Sequence, residues 1–216
     1  MAQVQAGSMV ALHSGEVELE GALELPASPV GVVLFAHGSG SSRHSPRNLF
    51  VARKLREARL GTLLIDLLTP EEDARHETRF DIALLSERLA DAARFLARDA
   101  RTAKLPLGLF GASTGAAAAL RVAAEPSQTV GAVVSRGGRP DLAGTAALRR
   151  VRAPTLLIVG GHDYGVIELN EKACAQLSCV KELAIVPGAT HLFEERGALD
   201  EVARLAAGWF GRHLKE

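Results

Sequence analysis

Leu105-Pro106-Leu107-Gly108-Leu109-Phe110 runs directly into Gly111-Ala112-Ser113-Thr114-Gly115 and then into the alanine-rich stretch Ala116 to Val122. An apolar run of strand length, a Gly-x-Ser-x-Gly pentapeptide and a run of helix formers thus follow one another without a gap. The order predicts a strand over 105–110, a sharp turn centred on Ser113 and a helix over 114–124, with no breaker until Pro126. A strand-to-helix turn of this tightness forces its central residue into strained torsions, and glycine two positions away on either side avoids the clash. Such a nucleophile elbow lifts the serine hydroxyl clear of the sheet.

Working outward, short apolar runs alternate with longer amphipathic ones, the pattern of a parallel sheet covered by helices on both faces. Strands are expected over 31–36, 61–66, 105–110, 130–135 and 155–160, with a sixth over 183–186. Their β-branched and leucine-rich content suits burial on both faces. Helices are expected over 47–59, 81–102, 114–124, 166–177 and 199–214. Before them, alternating apolar and acidic residues around Gly21, within 10–25, predict a half-exposed antiparallel pair at the sheet edge. The reading is a single-domain α/β fold with a mostly parallel central sheet. No gap between elements has room for a large cap domain. The acidic, arginine-rich stretch 67–80 is the one long polar insertion, placed to fold over the site.

At 216 residues and 47% hydrophobic content the chain has enough material for one sizeable core. One domain is expected over 9–216, with 1–8 as a flexible lead-in. Twenty-five basic and twenty-five acidic residues cancel, and no polybasic stripe occurs, which argues against nucleic acid or an anionic membrane as partner. Cys174 and Cys179 lack the spacing of a redox or zinc pair and read as free core thiols. Neither a secretory leader nor a membrane span is apparent, so a cytoplasmic location is the expectation.

A serine hydroxyl is a poor nucleophile near neutral pH unless a histidine takes its proton and a carboxylate holds that histidine in the right tautomer. In the elbow fold these partners follow the serine in the order acid, then histidine, each on the loop after a strand. Asp163, in Gly161-His162-Asp163-Tyr164 after the 155–160 strand, is the expected acid. Glu168 is the nearest alternative but falls within a helix. His191, in Pro187-Gly188-Ala189-Thr190-His191 after the 183–186 strand, is the expected base. His13, His44 and His76 precede the serine, and His162 and His213 lie in the wrong elements.

The oxyanion of acyl transfer needs two backbone N–H donors, one following the nucleophile and one from the loop after an earlier strand. Thr114 supplies the first. The loop His37-Gly38-Ser39-Gly40-Ser41-Ser42 supplies the second, assigned to Ser39. A phosphate-binding glycine loop is the competing reading of that segment, but neither Gly-x-Gly-x-x-Gly nor a Walker lysine accompanies it.

With these residues in place the chain resembles the α/β-hydrolase superfamily, and within it the dienelactone-hydrolase-like branch. Gly111 to Gly115 matches the elbow, Gly160 to Asp163 the acid loop, Gly188 to His191 the histidine loop and His37 to Gly40 the oxyanion loop. Dienelactone hydrolases proper carry a cysteine nucleophile where this chain has Ser113. The resemblance therefore implies a serine hydrolase acting on carboxylic esters or thioesters of small molecules, with no metal or organic cofactor. Acyl transfer or peptide cleavage by the same triad is the alternative enzyme reading, and a non-catalytic small-molecule-binding protein the alternative of another class. Arg43 and Arg136 both follow predicted strands and are placed to clamp an acidic substrate group. Solvation, or pairing with the acidic residues of 67–80, is the competing reading for both.

Overall fold

The computed structural model describes residues 7–214. Eight strands form one sheet in the order β1-β2-β4-β3-β5-β6-β7-β8. β1 (Ser8–Ser14) and β2 (Val17–Glu24) form the expected antiparallel pair, and β2 joins β4 (Leu60–Ile65) antiparallel. From β4 onward every pairing is parallel, through β3 (Gly31–Ala36), β5 (Leu107–Ala112), β6 (Ala132–Arg136), β7 (Thr155–Gly160) and β8 (Lys181–Val186). β3, β4 and β7 are buried along their whole length, as continuous apolar runs in a two-sided parallel sheet should be.

Two hydrophobic layers flank the sheet. On one side α1 (Pro46–Glu57) and α8 (Ala198–His213) pack Val51, Leu55, Val202 and Phe210 against Val33, Phe35, Phe110 and Val134. On the other, α4 (Ile82–Arg98), α5 (Thr114–Ala123), α6 (Thr145–Arg150) and α7 (Tyr164–Gln176) cover Leu34, Leu109, Val133 and Leu157. Alternate residues of one strand thus feed opposite layers, which fixes which way each strand-end side chain points.

Some expectations are corrected. β5 begins at Leu107, two residues late, because Pro106 has no N–H to give the ladder and offers only its carbonyl, to Val32 at 3.0 Å. Gly111 and Ala112 are consequently still strand, and the turn is confined to Ser113. The stretch 67–80 is not an irregular loop: it holds two single-turn helices, α2 (Pro70–Asp73) and α3 (His76–Arg79). Thr69 and Glu72 form a reciprocal capping box there, and Glu72 also accepts from the buried Arg88 of α4 at 3.0 Å. The short helix α6 and a 3₁₀ turn at Pro140–Ala143 were not anticipated. The helix expected over 81–102 ends at Arg98. Of the expected lead-in 1–8, residues 1–6 lie outside the described residues, whereas Ser8 already opens β1. Cys174 and Cys179 are free thiols, and among the described residues no helix is long and apolar enough to cross a membrane.

Candidate active site

Ser113 stands alone between β5 and α5 with φ 50° and ψ −120°, a combination that costs a non-glycine residue strain and persists only where surroundings enforce it. The enforcement is visible. A Cβ on Gly115 would lie 2.3 Å from the Ala36 carbonyl oxygen and 2.5 Å from that of His37, and one on Gly111 would lie 2.4 Å from the Ala116 Cα. All three obstacles are backbone atoms that cannot step aside. The close fit of α5 against the ends of β3 and β5 therefore requires both glycines. The Ser113 amide donates to the Arg136 carbonyl at 3.2 Å, and its carbonyl accepts from Arg139 at 3.0 Å, so the loop after β6 clamps the turn from its other side.

Two strands along, the loops after β7 and β8 are zipped together by main-chain bonds from Gly161 to Val186 at 2.8 Å and from His162 to Ala189 at 2.9 Å. A side chain at Gly160 would meet the Ala189 carbonyl oxygen at 2.4 Å, so the histidine loop rests directly on the end of β7. Asp163 is the N-cap residue of α7 but makes no side-chain capping bond. Its Oδ2 faces His191 Nδ1 at 2.6 Å instead. A carboxylate on Nδ1–H leaves Nε2 as the unprotonated ring nitrogen, the tautomer a general base needs.

The serine and the histidine share this edge of the sheet. The His191 Cε1 and carbonyl oxygen lie 3.5 and 3.2 Å from where a Gly137 Cβ would stand, and Gly137 directly follows the residue that holds the Ser113 amide. Among the described residues the Ser113 hydroxyl makes no hydrogen bond to the ring. The structure thus brings Asp163 and His191 into contact and places Ser113 at the end of β5 on the same edge of the sheet.

The loop after β3 lies against the serine: a Cβ on Gly38 would be 3.0 Å from the Ser113 Cβ. Neither the Ser39 nor the Thr114 amide donates a hydrogen bond to any described residue. Both amides are thus left without an acceptor among the described residues. His37, which the sequence placed only as part of this loop, braces it. Its buried ring accepts from the Leu67 amide at Nε2 (2.9 Å) and meets the Gly38 carbonyl at Nδ1 (3.0 Å). An N–H donor at Nε2 requires the neutral ring with its proton on Nδ1. Burial pushes the His37 pKa below its ordinary value, against the upward pull of the Gly38 carbonyl and of Asp66 and Asp73.

Other supporting residues escaped the sequence reading. Phe193, fully buried at φ 56°, turns the chain sharply just after His191. Asn170, fully buried on α7, donates to the Gly138 carbonyl at 3.0 Å and ties that helix to the loop holding Ser113. The only signal either offered was its residue type: a large aromatic after a turn-rich loop and an amide inside a helix.

The two arginines part company. Arg43 is corrected: its guanidinium binds Asp66 of the turn after β4 and Glu20 of β2, and its amide donates to Asp66 at 2.6 Å. That arginine is a structural tie among β2, β4 and the loop after β3, and its charge is already met. Arg136 ends β6 beside Ala112, is buried, and its side chain makes no hydrogen bond to any described residue.

A mostly parallel sheet with helices on both faces, a strained serine at the end of its fifth strand and an Asp–His pair on later strand ends define an α/β-hydrolase. Comparison with known proteins places the chain within that class. It is 56% identical to a dienelactone hydrolase from Anabaena variabilis of known crystal structure, with a TM-score of 0.94 over 99% of this chain and 100% of that one. This chain belongs to the dienelactone hydrolase family. Est1E from Butyrivibrio proteoclasticus shares the fold at 13% identity (TM-score 0.80, 94% and 98% covered), as does a cold-adapted esterase from an Arctic metagenomic library at 18% (TM-score 0.79, both chains covered fully). Two Mycobacterium tuberculosis proteins, provisionally named phosphoribosyl transferases, are 57% identical over 205 residues. The match takes in 95% of this chain but 46% of theirs, so the chain spans about half the length of these curated relatives. No family model matches the chain.

Proposed function

We propose that this chain is a serine hydrolase that cleaves carboxylic esters or thioesters of small molecules through an acyl-enzyme. The observation that carries the reading is the strained Ser113 on the same sheet edge as an Asp163–His191 pair joined at 2.6 Å. His191 Nε2 takes the Ser113 proton as Oγ attacks the carbonyl carbon. The oxyanion that forms is met by the free amides of Ser39 and Thr114. His191 then returns the proton to the leaving group, and the carbonyl re-forms as the leaving group departs. Water, deprotonated by the same ring, releases the acid and restores the serine. Asp163 keeps the ring in its productive tautomer and stabilises the imidazolium. The bond from Ser113 to His191 that this step needs is of a kind often loose in unliganded sites and tightened by substrate.

Treatment with a fluorophosphonate probe, read by intact and peptide mass, tests this reading. Stoichiometric labelling at Ser113 is expected, lost in Ser113→Ala and His191→Ala. A folded wild-type protein that takes no label overturns it and leaves a ligand-binding role on the same fold. Competing nucleophiles in a turnover assay separate hydrolysis from acyl transfer.

A further inference from the structure

We infer that Asn170 of α7 is a positioning residue: its buried amide fixes the Gly137–Gly138 turn, and through that turn the backbone grip that holds Ser113 in its strained conformation. The effect on turnover rests on the hydrolase reading, whereas the grip itself does not.

Ser113 is gripped by the two residues that flank this pair of glycines. The Arg136 carbonyl accepts from the serine amide at 3.2 Å, and the Arg139 amide donates to the serine carbonyl at 3.0 Å. Between them Gly137, at φ 50°, and Gly138 have little conformational preference of their own, so the span of the grip depends on what holds them from outside. Among the described residues two hydrogen bonds do so. The Gly137 amide donates to the Ile158 carbonyl of β7 at 2.8 Å, and the Gly138 carbonyl accepts from Asn170 Nδ2 at 3.0 Å. Packing closes the other side: a Cβ on Gly138 would lie 2.0 Å from Ser135 Oγ and 2.6 Å from the Cβ of Ala116, in the first turn of α5. Gly137 faces the ring and carbonyl of His191, so the turn borders the serine and the histidine together.

Asn170 is fully buried within α7, where asparagine is a poor helix former and an apolar side chain would bury without any polar group to satisfy. Its second amide hydrogen goes to the Val166 carbonyl at 2.8 Å. Both neighbours are carbonyl oxygens, so the amide can face them only with its nitrogen. Oδ1 is inaccessible and finds no donor among the described residues. No other side-chain hydrogen bond leaves α7 among those residues, the Lys172–Glu168 pair lying within the helix. Of its residues only Asn170 and Ala173 are buried, so apolar packing alone anchors this helix weakly. The helix that begins one residue after Asp163 is therefore tied by a single side-chain bond, and that bond ends on the turn that grips the serine. A strained residue such as Ser113 persists only while its surroundings over-determine it, and Asn170 is one of those determinants.

Amide hydrogen exchange and ester kinetics test this in Asn170→Leu, of similar volume, and in Asn170→Ala, which removes the donor and leaves room. Both are compared with wild type and with Ala173→Gly, which weakens α7 at its other buried position and keeps the Gly138 bond. In both Asn170 variants exchange at the Ser113 and Arg139 amides is expected to quicken by about tenfold relative to the amides of β5 and β6, because the turn that carries the grip has lost a tether. On 4-nitrophenyl butyrate kcat should fall by about tenfold to a hundredfold with KM unchanged, since a displaced hydroxyl is felt in the transition state and not in binding. Ala173→Gly should lower Tm while leaving the two amides and kcat as in wild type.

Wild-type exchange at Ser113 and Arg139 in the Asn170 variants, a change in KM in place of kcat, or an equal loss of kcat in Ala173→Gly each overturns the inference. So does failure of both Asn170 variants to fold, which would make the residue part of the core alone. A wild type that turns over no ester, with the two amides still responding to Asn170→Leu, would instead sink the hydrolase reading and leave the grip standing.

Discussion

Asp163 sits where a helix cap would be, yet its carboxylate serves His191. An amide in its place keeps the shape but offers no charge to the imidazolium and allows the wrong tautomer. Asp163→Asn is expected to lower kcat by about 10³–10⁴-fold with little change in Tm, measured on an activated ester. Gly115 makes the opposite kind of demand, on packing rather than chemistry. Gly115→Ala drives a methyl group against the Ala36 and His37 carbonyl oxygens, neither of which can rotate away. We expect a loss of about 3 kcal/mol, read as a Tm roughly 6–12 °C lower, with fluorophosphonate labelling at Ser113 slowed. A stable Gly115→Ala would mean that α5 approaches β3 less closely than the structure has it.

At the scale of elements, the segment carrying α2 and α3 rests on the loop after β3: Arg79 Nη1 lies 3.6 Å from where a Gly40 Cβ would be, and Asp73 holds Arg79 in place. The segment has no buried residue within either helix. Its anchorage is therefore polar, chiefly the Glu72–Arg88 pair, whose side chains are 16% and 7% exposed. Arg88→Met leaves Glu72 without its cation, at a cost on the order of 3 kcal/mol. That cost should appear as local opening: faster amide exchange over 69–80 and preferential proteolysis there, with α4 and the sheet still protected. Exchange that rises uniformly across the molecule would show the segment to be part of the main cooperative unit.

For the whole molecule, one buried group couples stability to pH. His37 is held neutral, with its folded pKa below 6.5, while in the unfolded chain it titrates at its ordinary value. Both states are neutral above 6.5, so stability is complete there. As pH falls from 6.5 toward the lowered folded value, the unfolded chain takes the proton first and stability is lost. Urea unfolding should show ΔG falling in this window by up to about 1.4 kcal/mol per pH unit from this one residue. His37→Gln should flatten that part of the profile. An unchanged profile in the variant would assign the acid sensitivity to other groups.

Much of this architecture was legible before any coordinate. Continuous apolar runs gave β3 and β7 to the residue, because strands buried on both faces leave no polar position to blur their ends. The Gly-x-Ser-x-Gly turn, the chain order serine, acid, histidine, and the position of each after a strand selected Ser113, Asp163 and His191, since a parallel sheet gathers all its strand ends at one edge. Tertiary structure alone decided the rest. α2, α3 and α6 are too short to show a helical period and exist through capping and packing. The fates of Arg43 and Arg136 were indistinguishable in sequence, as both follow strands near the same edge. Glu20 and Asp66 reach one and no described residue accepts from the other, because a partner for a charge is a matter of distance in space, and local residue order does not encode it.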